Sequence, residues 1–286
     1  MKRFSVPYFL WSLVFIIFPL ILVLVYAFNG IKSMDLSQFE FSLVHLERFM
    51  EPLYIKILAR SVWLSLVSTI LCLLIGYPCA YFISKMPARK GGLMILLFVI
   101  PMWMNFLLRT YAWTTILGRR GFINSMLALI GLGPFEIMYT EGAILLGMVY
   151  NFLPFMVLPI YSVLLKMDKS LIEAAKDLGA NDRQVFFKVT LPLSMPGITS
   201  GLMLVFIPGL STFVISSILG GNKYYLVGNL IEQQFRLTGN WGFGSAIALV
   251  LMVILFIFLA LFRLWEKKSG LPDRRMKRRK RYEKAH

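Results

Sequence analysis

Five stretches of this chain run for at least 18 residues without a charged side chain: 8–28, 61–84, 91–108, 142–165 and 237–262. A sixth, 189–222, runs for 34. About 20 residues of helix cross the hydrocarbon of a bilayer. Five of the runs therefore read as one span each. The sixth reads as a span plus an approach along the membrane surface, punctuated by Pro192, Pro196 and Pro208. The runs are too long and too evenly apolar for barrel strands, which alternate faces. A helix also satisfies its own backbone in lipid. The chain is 58% hydrophobic and only 15% charged, which agrees. The expected fold is an all-α integral membrane protein of six transmembrane helices, near 8–28, 61–84, 93–108, 143–165, 197–219 and 237–264. They form one membrane domain over 1–266. The basic tail 267–286, with "DRRMKRRKRYEK", carries like charges dense enough to repel one another and reads as disordered.

Lys and Arg set the orientation. With both termini inside, 21 of the 30 fall on inner segments and eight on outer loops, leaving Arg109 within a span. N and C termini are thus expected in the cytoplasm. The net charge of +16 reports that face and a contact with anionic membrane lipid, not a nucleic-acid partner. The amino-terminal run exceeds a typical signal-peptide core and its end, "VYAFNG", offers no small-residue cleavage site, so it reads as a retained first helix. The outer segments holding "LSQFEFSLVHLERFMEPLY" and "GRRGFINSMLALIGLGPFEIMYTEG" are expected to contain short helices.

Several chemistries lack their parts. Cys72 and Cys79 are seven residues apart, roughly 10 Å along a helix, too far to bridge. His45 and His286 stand alone in the sequence, so no metal site is expected. The chain contains no Gly-Lys pair, hence no phosphate-binding loop for ATP. The spans hold no paired acids, His cluster or Ser/His arrangement that would make an enzyme. They also lack the intramembrane acids and inverted repeats of an ion-coupled secondary transporter, which stays a distant alternative.

One inner segment departs from this plainness: "SLIEAAKDLGANDRQVFFKVTLP" at 170–192. Ser170 precedes Glu173 by the capping-box spacing, which predicts a helix from about Leu171. Gly179 is placed to end it in a left-handed conformation. Asn181 or Asp182 can cap a second helix to about Val189, and Pro192 is expected to stop the pattern and fix the exit angle toward the fifth span. Leu171, Ile172, Ala175 and Leu178 form one apolar side, with Phe186, Phe187 and Val189 on the next helix. Such a pair could lie on lipid, but Asp177 and Asp182 among the bases suit a protein partner better than anionic lipid.

The same segment resembles the EAA signature of ABC importer permeases. Glu173, Ala174, Ala175, Gly179, Leu191 and Pro192 match in type and spacing; Val189 stands where the signature has Ile. "IPMWMNFLLRTYAW", "NFLPFMVLPIYSVL", "LPLSMPGI" and "SSILGGNKYYLVGNLI" further resemble the permeases of spermidine/putrescine importers, the first of their two permease subunits most of all. The resemblance implies the type I importer permease fold in a bacterial inner membrane. It also implies a sister permease and an extracytoplasmic solute-binding protein as partners. Two cytoplasmic ATPase subunits would carry ATP and Mg, with no cofactor in this chain. Residues 170–190 would then be coupling helices, with Glu173, Asp177, Asp182 and Arg183 facing an ATPase. The implied solute is a polyamine, with another small solute as the alternative.

A polycation favours carboxylates, carbonyls and aromatic faces. Candidates along its path are Trp103, Asn105, Tyr111 and Trp113 on the third span, and Tyr150 and Asn151 on the fourth. Ser211, Thr212 and Phe213 on the fifth join them, with Glu232 in an outer loop. Each aromatic equally fits an interfacial belt or ordinary packing. Arg109 is expected about 27 Å up the third span from residue 91. There it would pair with Glu136, Glu141 or Glu232, or face a neighbouring helix.

Overall fold

The computed structural model describes residues 11–30 and 39–268. The described residues are mostly helical, and the only β pairing among them is a single bridge between Asn29 and Phe41. In order the helices are α1 (Leu13–Ala27), α2 (Val44–Phe49), α3 (Pro52–Ser84), α4 (Ala88–Trp103) and α5 (Phe106–Leu117). There follow α6 (Phe122–Leu129), α7 (Glu141–Leu165), α8 (Lys169–Asp177), α9 (Asp182–Val185) and α10 (Leu191–Ser211). The last three are α11 (Val214–Leu219), α12 (Val227–Glu232) and α13 (Trp241–Lys268).

Four helical stretches are long and apolar enough to cross a membrane: α3, α7, the continuous run Asp182–Ser211, and α13 as far as Phe262. The helix α4 qualifies only together with the stretch Phe106–Leu129, which holds α5 and α6, as a pair bent by 95°. Of the first expected span the structure describes α1, a shorter apolar helix; residues 8–10 of that expected span lie outside the described residues, as does the basic tail from residue 269. The short helices expected in the outer loops are present as α2 and α6.

Three expected boundaries change, each for a local reason. The helix of the second span starts at Pro52, ahead of the uncharged run that begins at 61. Proline suits the first turn of a helix, where its missing amide costs nothing, and Lys56 and Arg60 can carry their charges outward on long stems. The third span ends at Trp103 instead of 108. Asn105 leaves helical geometry (ψ 128°), and its side-chain oxygen accepts from the Leu107 amide at 2.8 Å, capping a fresh helix. Arg109, Tyr111 and Trp113 therefore sit on α5, and the expected position of Arg109 along one unbroken rod does not hold.

The fifth span changes most. It was expected over 197–219, with Pro192 as a stop; helix instead continues from Asp182 through Pro192 to Ser211. A π-helical turn at Phe186–Thr190 makes this continuity feasible. The Leu191 amide reaches back five residues to the Phe186 carbonyl, and a turn widened in this way relieves the ring and the missing donor of a helix-interior proline. The span then breaks at Thr212–Phe213 and resumes as α11.

The chain divides into two compact units. The first comprises Met1–Ser68, Met104–Asn151 and Phe206–Leu255; the second comprises Thr69–Trp103, Phe152–Val205 and Phe256–His286. In the first, Gly147 lets α7 sit against Ile215 and Leu219 of α11, and Gly242 lies on the His45 ring. In the second, Gly197 meets the backbone of Ile160 at 2.9 Å, measured from where a β-carbon would be. Small residues at crossings are how helices pack where lipid removes the hydrophobic drive. The most apolar window of α7 is 56% buried and that of α13 only 22%. The former is thus the more enclosed helix, while the latter leaves Phe256, Ile257 and Leu261 exposed.

Candidate functional site

The segment singled out by its sequence lies in the second unit as two helices around a glycine turn. Asp168, not Ser170, caps α8: its carboxylate accepts from the Ser170 amide at 3.0 Å. The helix consequently starts at Lys169. Glu173 lies in its second turn, too far along to complete a capping box, and its carboxylate stands exposed. The Ser170 amide that binds Asp168 holds this carboxyl below its ordinary value. At the other end Gly179 has φ +83°. The Gly179 amide bonds the Lys176 carbonyl at 2.8 Å and the Ala180 amide the Ala175 carbonyl at 3.0 Å, the paired bonds of a Schellman turn. Asn181 then caps α9 reciprocally with Gln184, at 2.9 and 3.1 Å.

Across the turn Lys176 Nζ lies 2.8 Å from Asp182 Oδ1. That hydrogen bond and charge raise the Lys176 pKa above its ordinary value. No residue of α8 is buried. Glu173, Ala174, Asp177, Gly179, Asp182 and Arg183 are exposed and Ala175 is half-buried, while Leu178 is 89% exposed. Pro192 sits apart from this group, inside the long helix.

An aromatic joint that the sequence reading did not single out holds the pair to the bundle. Phe186 packs edge-on against Tyr77 (5.9 Å between centroids) and Tyr81 (5.2 Å) of α3, and against Phe187 (5.0 Å). The Tyr77 hydroxyl shares a 3.0 Å hydrogen bond with Ser194, and Lys85 Nζ lies 4.2 Å over the Tyr81 ring. The available signal was two tyrosines four residues apart, hence on one helix face, just before a basic turn.

The expected path residues scatter more widely. Trp103 ends α4 in the second unit, 78% exposed. The others belong to the first unit. Trp113 and Tyr150 meet edge-on at 5.2 Å. Tyr111 is exposed, and the Asn105 oxygen is engaged in its cap. Asn151 is buried; its Nδ2 donates to the Gly147 carbonyl at 2.9 Å, while Oδ1 has no hydrogen-bond partner among the described residues. Phe213 marks the break after α10, with Ser211 exposed and Thr212 buried beside it. Glu232 binds Arg236 at 2.8 Å and Glu141 binds Arg60 at 3.4 Å. Neither neutralises Arg109, so the first of its two expected arrangements, pairing with an outer acid, is not seen among the described residues. Arg109 is buried, lies 5.9 Å from the Phe106 ring, and makes no ion pair among the described residues.

The break itself is braced by two residues absent from the sequence-based candidates. Asn229 donates to the Phe213 carbonyl (3.0 Å) and to Ser217 Oγ (2.7 Å). Its oxygen accepts from Ser216 Oγ (2.6 Å) and from the Leu226 amide (3.0 Å). A β-carbon on Gly228 would strike the Ser211 and Thr212 carbonyls, so only glycine lets α12 approach so closely. The Val227 amide donates to Ser61 Oγ of α3 at 2.8 Å.

Comparison with known proteins agrees with this architecture. Residues 4–269 match the model of a family described as the binding-protein-dependent transport system inner membrane component. The chain is 40% identical over 256 residues to the spermidine/putrescine transport system permease protein PotB of Haemophilus influenzae, covering 89% of this chain and 90% of that protein. It is 36% identical over 267 residues to the PotB of Escherichia coli K12, covering 91% and 97%. Among solved structures, a bacterial ABC transporter importing the acidic polysaccharide alginate superposes with a TM-score of 0.77 at 16% identity, over 93% of this chain and 94% of that one. The alginate transporter bound to an alginate-loaded periplasmic protein superposes at 0.70 and 18% identity, over 91% of each chain.

Proposed function

Because the chain belongs to the binding-protein-dependent transport system inner membrane component family, we propose that it is the permease subunit of an ATP-driven polyamine importer, taking up spermidine or putrescine. It is a multi-pass inner membrane protein with the fold of ABC importer permeases. In the proposed complex it pairs with a sister permease, receives solute from an extracytoplasmic binding protein, and docks an ATPase at residues 169–190. Its termini lie in the cytoplasm. ATP and Mg belong to the ATPase subunits.

The observation that carries the coupling role is a nine-residue amphipathic helix with nothing buried, ended by a doubly bonded glycine turn and braced by an ion pair. A lone exposed helix of that length is marginal in water. This one is fixed at both ends by its own caps and to the bundle by Phe186, so a push on it reaches the long helix that follows. ATP-driven closure of the ATPases and solute delivery are linked because each favours one bundle conformation. Along the path, the orphan Asn151 oxygen and the Trp113–Tyr150 pair offer an ammonium an acceptor and aromatic faces, the latter contributing about 0.5–2 kcal/mol each. The polyamine assignment draws on the two PotB relatives.

The test is uptake by the assembled transporter in proteoliposomes. Labelled spermidine should accumulate only with ATP inside and binding protein outside. Glu173→Lys should abolish binding-protein-stimulated ATPase activity while the chain still inserts. Full ATP-driven uptake by Glu173→Lys would remove the coupling role; uptake of other solutes but no polyamine would remove the polyamine assignment alone.

A further inference from the structure

A cavity of about 870 Å³ opens in the first unit. Arg48, Lys56, Arg60 and Lys223 line it, with amides from Gln233 and Asn240, and no carboxylate does. Arg60 is partly answered by Glu141 from outside the lining. Arg48 is held 4.4 Å over the Phe243 ring, which fixes the guanidinium without neutralising it. Neither Arg48, Lys56 nor Lys223 makes an ion pair among the described residues. Four cations around one volume would repel a polyamine, so this cavity is not a resting place for the proposed solute.

Its depth is informative. Lys56 and Arg60 lie on the first turns of α3, five residues and one residue before the uncharged run that begins at 61. At the helix rise they sit about 7 and 1.5 Å outside the edge of that run. The headgroup zone is roughly 5–8 Å thick on each side of the hydrocarbon. By this count Lys56 and Arg60 reach the level of lipid phosphates. The guanidinium forks of Arg48 and Arg60 suit phosphate oxygens.

We propose that this cavity is a phosphate-binding site, filled by the headgroup of an anionic phospholipid or, by the same chemistry, by free phosphate. The inference rests on the chain's place in the membrane and is independent of the solute carried.

The full chain, purified with its companion subunits, is equilibrated with phosphatidylglycerol or phosphatidylcholine vesicles, and the lipid it retains is counted by native mass spectrometry. The wild type should retain phosphatidylglycerol in preference to phosphatidylcholine. Replacing Arg48, Lys56 and Lys223 by Gln should weaken that retention roughly five-fold for each cation removed. Lys56→Arg should keep it, as should Arg236→Gln, which removes a cation outside the cavity. Inorganic phosphate alone serves as the second probe. If it displaces the lipid and slows thermal unfolding of the wild type but not of the triple variant, the site stands with free phosphate as its occupant. Equal retention of both lipids, or a triple variant indistinguishable from wild type with both probes, overturns the proposal. So does a triple variant that keeps lipid and phosphate binding but loses its response to the binding protein, since the cavity would then be a protein docking face.

Discussion

Two places in this molecule interrupt a helix, and they do so by opposite means. Between α8 and α9 the interruption is exposed and secured locally: Asp168, the Schellman bonds, the Asn181–Gln184 box and the Lys176–Asp182 pair all join residues within six positions of one another. Between α10 and α11 it is buried and secured from afar. Asn229 reaches Phe213 across 16 residues, and Ser61 reaches Val227 across 166. The first break is self-contained and could change its surroundings without changing shape. The second exists only while the surrounding unit is folded.

The sharpest way to break that comparison is Asn229→Ala. The Phe213 carbonyl keeps the Ser217 amide and the Ser216 hydroxyl, but the Leu226 amide and the Ser217 hydroxyl lose the partner that Asn229 gives them. Each buried orphan costs about 1–3 kcal/mol, so thermal unfolding of the purified chain in detergent should show a loss of several kcal/mol and a sharp fall in folded yield. A variant as stable as wild type would mean the break does not depend on that brace.

Gly179→Val comes next. A side chain there meets open space, so the cost is the left-handed backbone alone, about 1–2 kcal/mol, confined to the turn. Global unfolding should stay near wild type while ATP-driven uptake drops, and Gly179→Asn, which tolerates that conformation better, should retain more activity. Parallel losses of stability and uptake would show that the exposed turn is not self-contained after all.

The smallest effect is a pH dependence of the caps. The Asp168 carboxyl is held below its ordinary value of 3.8, so its stabilisation of α8 is present above that value and lost as pH falls through the lowered one. Lys176 is raised above 10.5; its contribution is complete below that value and lost as pH rises through the raised one. Amide exchange at Ser170 should therefore resist acid to below pH 3.8, and the turn near Gly179 should loosen both in strong alkali, as Lys176 loses its proton, and in acid, as Asp182, held low by its hydrogen bond to Lys176, gains one, whereas the Asn229 brace, with no titrating group, should respond to neither.

The same contrast explains what the sequence revealed. Uncharged runs located the spans because lipid leaves the backbone one local solution. Gly179 and Asn181 were readable because their bonds run to near neighbours. Even there a local rival won: Ser170 and Glu173 have capping-box spacing, but Asp168 caps two residues earlier, where the chain turns out of α7. Asn229 and Gly228 left no comparable mark, since their roles lie in carbonyls many residues away. Pro192 misled for a related reason: a stop signal holds only in a regular α-helix, and the π turn before it removes the conflict. Arg109 was expected on a continuous rod, and the cap at Asn105 placed it on a separate one.

The widened turn at Phe186–Thr190 also works as an angular setting. One extra residue in that coil fixes the azimuth of α9 relative to the start of α10, and each residue of an α-helix advances it by about 100°. Shortening the coil by one position would change nothing visible in composition or hydropathy, yet it would swing α8 and α9 a quarter-turn or more about the long helix that follows.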